Sequence, residues 1–215
     1  MAISKRLQGI LDFVENATTL ADIGTDHAFL PIEACTKNIC SRAIACDLNK
    51  GPLEIANINI KAANLTHRIE TRLGNGLLPL NINEADVITI SGMGSHVMWS
   101  ILESQPEKAK SARVLVLQPQ HDYLENFRMS LHGGGYEILD ETLIYEDSRF
   151  YVIMKVSHTG KISTWTDREY FVGKFLTNSP FFSEYLDYHR SKIARFIDNC
   201  DNQSRELAKM RLQNL

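Results

Sequence analysis

Short apolar runs, unbroken by charge, alternate with stretches of 3–4 spacing through the first two thirds of this chain. That alternation predicts strands buried on both faces, joined by amphipathic helices. Residues 4–15 place Leu7, Ile10, Leu11 and Val14 on one helical face behind Ser4, a capping residue. Strands are predicted over 19–23, 42–47, 69–73, 87–91 and 112–118. Helices are predicted over 29–37, from Gly51-Pro52 to about 64, over 96–103 and over 122–131. Residues 136–145 and 149–156 alternate apolar and polar positions, as an antiparallel edge pair does. Five βα units and a closing hairpin predict an α/β fold with a doubly wound, mostly parallel sheet.

The pattern changes at about 164. Residues 166–177 and 180–213 read as two helices, with Ser179 as cap and Pro180 in the first turn of the second. Their 3–4 spacing fits a helical hairpin or coiled-coil-like arm, and equally a helix packed back on the sheet. Two domains are expected, 1–163 with the sheet and 164–215 with the helices.

The strand tips carry the candidate chemistry. Ala21-Asp22-Ile23-Gly24-Thr25-Asp26-His27-Ala28-Phe29-Leu30-Pro31 runs from a strand through a glycine turn into a helix. The next strand, Ala43-Ile44-Ala45-Cys46-Asp47, ends on an acid suited to a ribose diol. A dinucleotide needs G-x-G-x-x-G, and here Asp26 stands where the second glycine would meet a pyrophosphate. S-adenosylmethionine (SAM) carries a sulfonium and a zwitterionic tail and no phosphate, so Asp22 and Asp26 favour it over NAD. An ordinary βα turn is the alternative. Strand ends at Gly24, Asp47, Asn75 and Ser91 would converge on one crevice.

Composition narrows the class. The chain has 215 residues, 44% of them hydrophobic, and a net charge of −3, so any nucleic-acid contact must come from a local basic face. Lys5, Arg6, Arg190, Lys192, Arg195, Lys209 and Arg211 are candidates for that face, although solvated helices explain such charges as well. Cys35, Cys40, Cys46 and Cys200 lack C-x-x-C pairing, so reduced thiols and no metal are expected. No apolar run approaches the ~20 residues of a membrane span, and the polar amino end predicts no leader. A soluble, cytoplasmic protein is expected. His132-Gly133-Gly134-Gly135 and Thr159-Gly160-Lys161 lack the context of a phosphate loop.

The chain resembles the bacterial tRNA (adenine-22-N1)-methyltransferases of the TrmK family. The likeness is carried by Ile3-Ser4-Lys5-Arg6-Leu7, the segment 21–31, Lys50-Gly51-Pro52, Arg72-Leu73-Gly74-Asn75-Gly76-Leu77, Ser91-Gly92-Met93-Gly94 and Leu117-Gln118-Pro119. It implies a Rossmann-like class I methyltransferase sheet with a C-terminal helical extension, SAM as methyl donor and tRNA as substrate. Phe29, Asp47, Asn75 and Ser95 depart from the family's usual Tyr, Glu, Asp and Gly. Asp22, Gly24, Thr25, Asp47, Leu48, Asn75, Gly76, Ser91 and Gly92 are the expected cofactor residues.

Asp26, His27, Phe29 and Met93 are the expected catalytic set. Phe29 is a candidate stacking platform for a target base, with core burial as its alternative. Asp26 is a candidate contact to base or cofactor, with helix capping as its alternative. Gln118-Pro119-Gln120-His121 would border the base pocket. The loop at Gly92-Met93-Gly94 lacks Asn/Asp-Pro-Pro-Tyr, which argues against methylation at adenine N6. SAM-dependent methylation of a small molecule or protein, and a non-catalytic binding module, are the competing functions. Oligomeric state is left open.

Overall fold

The computed structural model describes residues 3–120 and 124–199. Seven strands form one sheet in the order β3-β2-β1-β4-β5-β7-β6. They are β1 (Ala17–Ile23), β2 (Cys40–Asp47), β3 (Ile69–Leu73), β4 (Val87–Met93), β5 (Val114–Pro119), β6 (Tyr136–Glu146) and β7 (Arg149–His158). β1 to β5 run parallel, and β7 pairs antiparallel with both β5 and β6. The central strands carry the unbroken apolar runs because helices cover both of their faces.

On one face α1 (Lys5–Phe13), α2 (Phe29–Thr36) and α3 (Lys50–Ala62) close a core that includes Ile10, Leu20, Ala34, Cys35, Ala56 and Ile60. On the other, α4 (Ser95–Ser104), α5 (Pro106–Ser111) and α6 (Leu124–Gly133) close a core with Met98, Leu102, Ala109, Phe127 and Leu131. Ser4 caps α1 as expected, its hydroxyl accepting the N–H of Leu7 at 3.2 Å.

Three expectations are corrected. The sheet has four βα units rather than five, because β3 passes to β4 through turns. Asn75, Pro79, Asn81 and Asn83 crowd that connection and disfavour a helix. Residues 106–111, for which no element is predicted, form α5 with Pro106 in its first turn. The helix expected over 166–177 breaks into α7 (Asp167–Val172) and a 3₁₀ turn, Phe175–Asn178. Gly173 makes the break at φ +93°, where a Cβ would come within 2.8 Å of the Arg128 guanidinium.

α8 (Phe182–Asn199) starts two residues after Pro180, and the Ser179 hydroxyl accepts the Phe181 N–H at 3.2 Å in the turn before it. Leu176, Tyr185 and Leu186 are buried, so the start of this segment packs back on the sheet core. The helix expected beyond 199, with Cys200, Lys209 and Arg211, lies outside the described residues.

Arg128 and Glu141 make that joint. The Arg128 Nε donates to Glu141 Oε1 at 2.7 Å with both side chains fully buried, and Nη1 donates to the Tyr170 carbonyl at 2.8 Å. His132 Nδ1 meets the Tyr170 hydroxyl at 2.9 Å, and Trp165 stands edge-on to its ring at 4.8 Å. α6, β6 and α7 are thereby tied across position 164.

Candidate active site

The switch point of this sheet lies between β1 and β4, and ligands of open α/β sheets bind in the crevice outside the strand ends there. Gly24 leaves β1 at φ +73°, and a Cβ there would collide with the methyl of Met93. Asp26 and Ala28 follow at φ +52° and +58°. Two non-glycine residues in the left-handed region cost about 1–3 kcal/mol each, strain that gathers at functional sites. The turn is held from below, because the N–H groups of Gly24 and Thr25 both donate to the Cys46 carbonyl at 2.9 Å.

The turn corrects the capping alternative for Asp26. Ala28 occupies the N-cap position of α2 and no side chain caps it. The Asp26 carboxylate is 72% exposed and lies 3.5 Å from His27 Nε2. Phe29 is 38% exposed and meets His27 edge-on at 5.5 Å, so it is not a core residue of α2. Asn59 of α3 donates to the His27 carbonyl at 3.0 Å and fixes this corner.

Asp47 ties β2 to the same rim. Its Oδ2 accepts the Asp26 N–H at 3.3 Å and its Oδ1 accepts the Asn49 N–H at 2.9 Å. Each oxygen keeps a further acceptor site. Leu48 beside it is 62% exposed, an apolar face with no core to cover. Across the crevice Asn75 is exposed, and Gly76 takes φ +53°. The Gly74 N–H donates to the Asp47 carbonyl at 2.9 Å, which draws the β3 tip to the β2 tip.

β4 runs two residues past the expected end at Ser91. Register with β5 shifts between Ser91 and Met93, so Gly92, at φ +73°, is a bulge. Two bonds brace the bulge against β5, from the Gln120 N–H to the Met93 carbonyl and from Gln120 Nε2 to the Gly92 carbonyl, both at 2.8 Å. Gln118 is buried, and its Oε1 accepts from the Gly92 N–H at 3.2 Å and from Arg6 Nη1 at 2.8 Å. His121 lies outside the described residues.

Arg6 is the residue whose place the sequence pattern does not reveal. Read as a surface cation, it reaches the rim instead, its guanidinium 5.8 Å from the Tyr151 ring centre. Glu146 anchors α1 there, its two oxygens accepting the Lys5 and Arg6 N–H groups at 2.7 and 3.1 Å. The signal lies in residues 140 positions away, beyond any local pattern. Lys5 stays exposed, and Arg190 pairs with Asp187 on α8 at 3.1 Å.

The centre of the rim is Asp22. It is buried, and among the described residues its oxygens accept only from Thr25 Oγ1 at 2.8 Å and Thr89 Oγ1 at 2.7 Å. Burial pushes its carboxyl above the ordinary carboxylate range, and the two hydroxyls and the Arg6 charge do not bring it back. No ion pair to Asp22 exists among the described residues, which suits an external cation. The residues therefore fit a zwitterionic ligand with a diol: an unpaired buried acid, Arg6 beside it and Asp47 at the next tip.

A doubly wound sheet of this strand order, with a glycine turn and an acid-tipped β2, defines a methyltransferase domain. The family model described as "Methyltransferase domain" matches residues 3–154, and the chain belongs to that family. Within it the likeness is to tRNA-modifying members. The chain is 35% identical over 154 residues to the tRNA (adenine(22)-N(1))-methyltransferase of Bacillus subtilis (strain 168). That match spans 72% of this chain and 64% of the curated relative's length. It also resembles Streptococcus pneumoniae Sp1610, described as a putative tRNA (m1A22) methyltransferase and solved in complex with S-adenosyl-L-methionine. There the identity is 31%, the TM-score 0.90 and the coverage 99% of this chain and 97% of the other. TrmK of M. capricolum, solved with S-adenosylhomocysteine, gives 28% identity and a TM-score of 0.88 over 100% and 96% of the two chains.

Proposed function

We propose that this protein transfers the methyl group of SAM to N1 of adenine 22 in tRNA. The observation that carries the reading is the acid Asp22, without an ion pair among the described residues, at the switch point of a chain that matches a SAM-bound structure over nearly its whole length. Asp22 takes the ammonium of the donor's amino-acid tail, and Arg6 is placed for the carboxylate of the same tail. Asp47 accepts from the ribose diol. Leu48 offers its exposed face to the adenine ring, and the Asn75 carbonyl oxygen accepts from the adenine amino group. Gly24, Thr25, Gly76, Ser91 and Gly92 contribute backbone, and only small residues let it approach closely.

SAM supplies, when bound, a methyl group on a cationic sulfur. A neutral adenine N1 already holds a lone pair, so no base must act before attack. Alignment and exclusion of water carry the rate, worth ~7–11 kcal/mol where the geometry is right. N1 lies on the Watson–Crick edge, so the base must leave its stack. Phe29 gives it an aromatic face, and Met93 closes the crevice from the β4 side. The exposed Asp26 carboxylate, steadied by His27, offsets the positive charge left on the methylated base or accepts a proton from its N6.

Domain 1–163 holds these groups, and we assign 164–215 to docking of the tRNA body. The cytoplasm, which holds unmodified tRNA and SAM together, is the compartment implied. Among the described residues no helix is long and apolar enough to cross a membrane. The test is incubation with SAM and unmodified tRNA, followed by mass spectrometry of the nucleosides. N1-methyladenosine at one position is expected. SAM binding with no methylated nucleoside would overturn the reading in favour of another substrate or a non-catalytic module.

A further inference from the structure

A second concavity lies outside the SAM crevice, between the first turns of α4 and α6. It encloses about 270 Å³ and is lined by Ser95, His96, Trp99, Asn126, Phe127 and Ser130. We infer that this pocket receives one unpaired nucleotide of the tRNA substrate, next to the one that is methylated. The inference rests on the reading of the protein as a tRNA methyltransferase.

Four features support this occupant. The lining joins an aromatic floor, Trp99 and Phe127, to a hydrogen-bonding rim, His96, Asn126 and Ser130, which is how proteins hold splayed single-stranded bases. Its volume falls below the roughly 300–1,000 Å³ of pockets for drug-sized ligands and suits a single base. The floor is fixed while the rim faces water: Phe127 is buried, Trp99 is half-buried, and His96 and Asn126 are exposed. Finally, the pocket adjoins the loop at the reaction centre, since Ser95 and His96 directly follow Gly92-Met93-Gly94.

That loop is bonded to Gln120, four residues before α6 begins. A base seated between α4 and α6 would therefore bear on the same braced bulge that faces the methyl donor. An RNA that pulls one base out of its stack also disturbs the neighbour, and a site for that neighbour would help hold the target in place.

The test uses the full chain, SAM and unmodified tRNA. In His96→Ala/Asn126→Ala, which alters exposed side chains, KM for tRNA is expected to rise about 10-fold, within the range for losing one base contact. Its kcat and its affinity for SAM by calorimetry should change less than twofold. Ser130→Leu, which fills the cavity, should raise KM in the same way. In a Trp165→Phe background the remaining tryptophan is Trp99, and tRNA should quench its emission. An unchanged KM in both variants, with Trp99 emission unmoved by tRNA, overturns the pocket while wild-type activity stands. If the wild type makes no N1-methyladenosine, the functional reading fails instead.

Discussion

Asp22 and Glu141 are both buried carboxylates, and they are kept in opposite ways. Glu141 sits against Arg128 at 2.7 Å, and the Tyr170 and Phe171 carbonyls both accept from Nη1 of the guanidinium. Its charge is matched from within, although Arg128 Nη2, Glu141 Oε2 and the Tyr185 hydroxyl have no hydrogen-bond partner among the described residues. Asp22 has two threonine hydroxyls and, among the described residues, no paired cation. One acid fastens the C-terminal helices to the sheet. The other, on the proposed function, is held ready for a charge that arrives with a ligand. If the proposed function holds, partner rather than burial separates the structural acid from the functional one.

The comparison breaks most visibly at Arg128. Arg128→Ala leaves Glu141 charged and alone in the core, a change that typically costs about 3–5 kcal/mol. Urea unfolding should show that loss, while SAM affinity in the protein that remains folded should stay within twofold. Asp22→Asn should do the reverse. The amide preserves the shape and can still bond both threonine hydroxyls. Unfolding free energy should hold or rise, while calorimetry should show SAM weakened by about 1.5–3 kcal/mol, the worth of a hydrogen bond to a charged group. If the two variants behave alike, the distinction fails.

Phe29→Ala sharpens the picture at the substrate side. An exposed ring contributes little to folding, so stability should move by less than about 0.5 kcal/mol. KM for tRNA should rise by the equivalent of about 1–3 kcal/mol if a base stacks there. SAM affinity should be unaffected.

The smallest effect is in pH. Burial raises the Asp22 pKa from its ordinary 3.8, so the native ligand-free chain holds this proton more tightly than the unfolded one. Its contribution to stability is therefore full below the unfolded value and is lost as pH rises through the native one. A cationic ligand selects the ionised form, so SAM affinity should climb with pH through the native value and then level off. Asp22→Asn should flatten that climb in a calorimetric series.

Local chemistry made much of this legible. The Ser4 cap, the five parallel strands, the closing hairpin and the convergence of Gly24, Asp47, Asn75 and Ser91 follow from apolar runs, turn residues and strand polarity. What local pattern did not reveal depends on residues far apart in sequence. The break at Gly173 exists because Arg128, from another helix, fills the space beside it. The Gly92 bulge is defined by register against β5, and the position of Arg6 by Glu146 at the far end of β6. Capping stands as the alternative for Asp26 because its residue type favours that role, but the left-handed turn gives the N-cap position to Ala28.

The most direct measurement is a calorimetric titration of SAM and S-adenosylhomocysteine into wild-type protein and Asp22→Asn at neutral pH. Both ligands should bind the wild type and bind the variant at least 10-fold more weakly, with the variant at least as stable to urea. Equal affinity in the two proteins would contradict the assignment of Asp22 as the acid that meets the incoming cation.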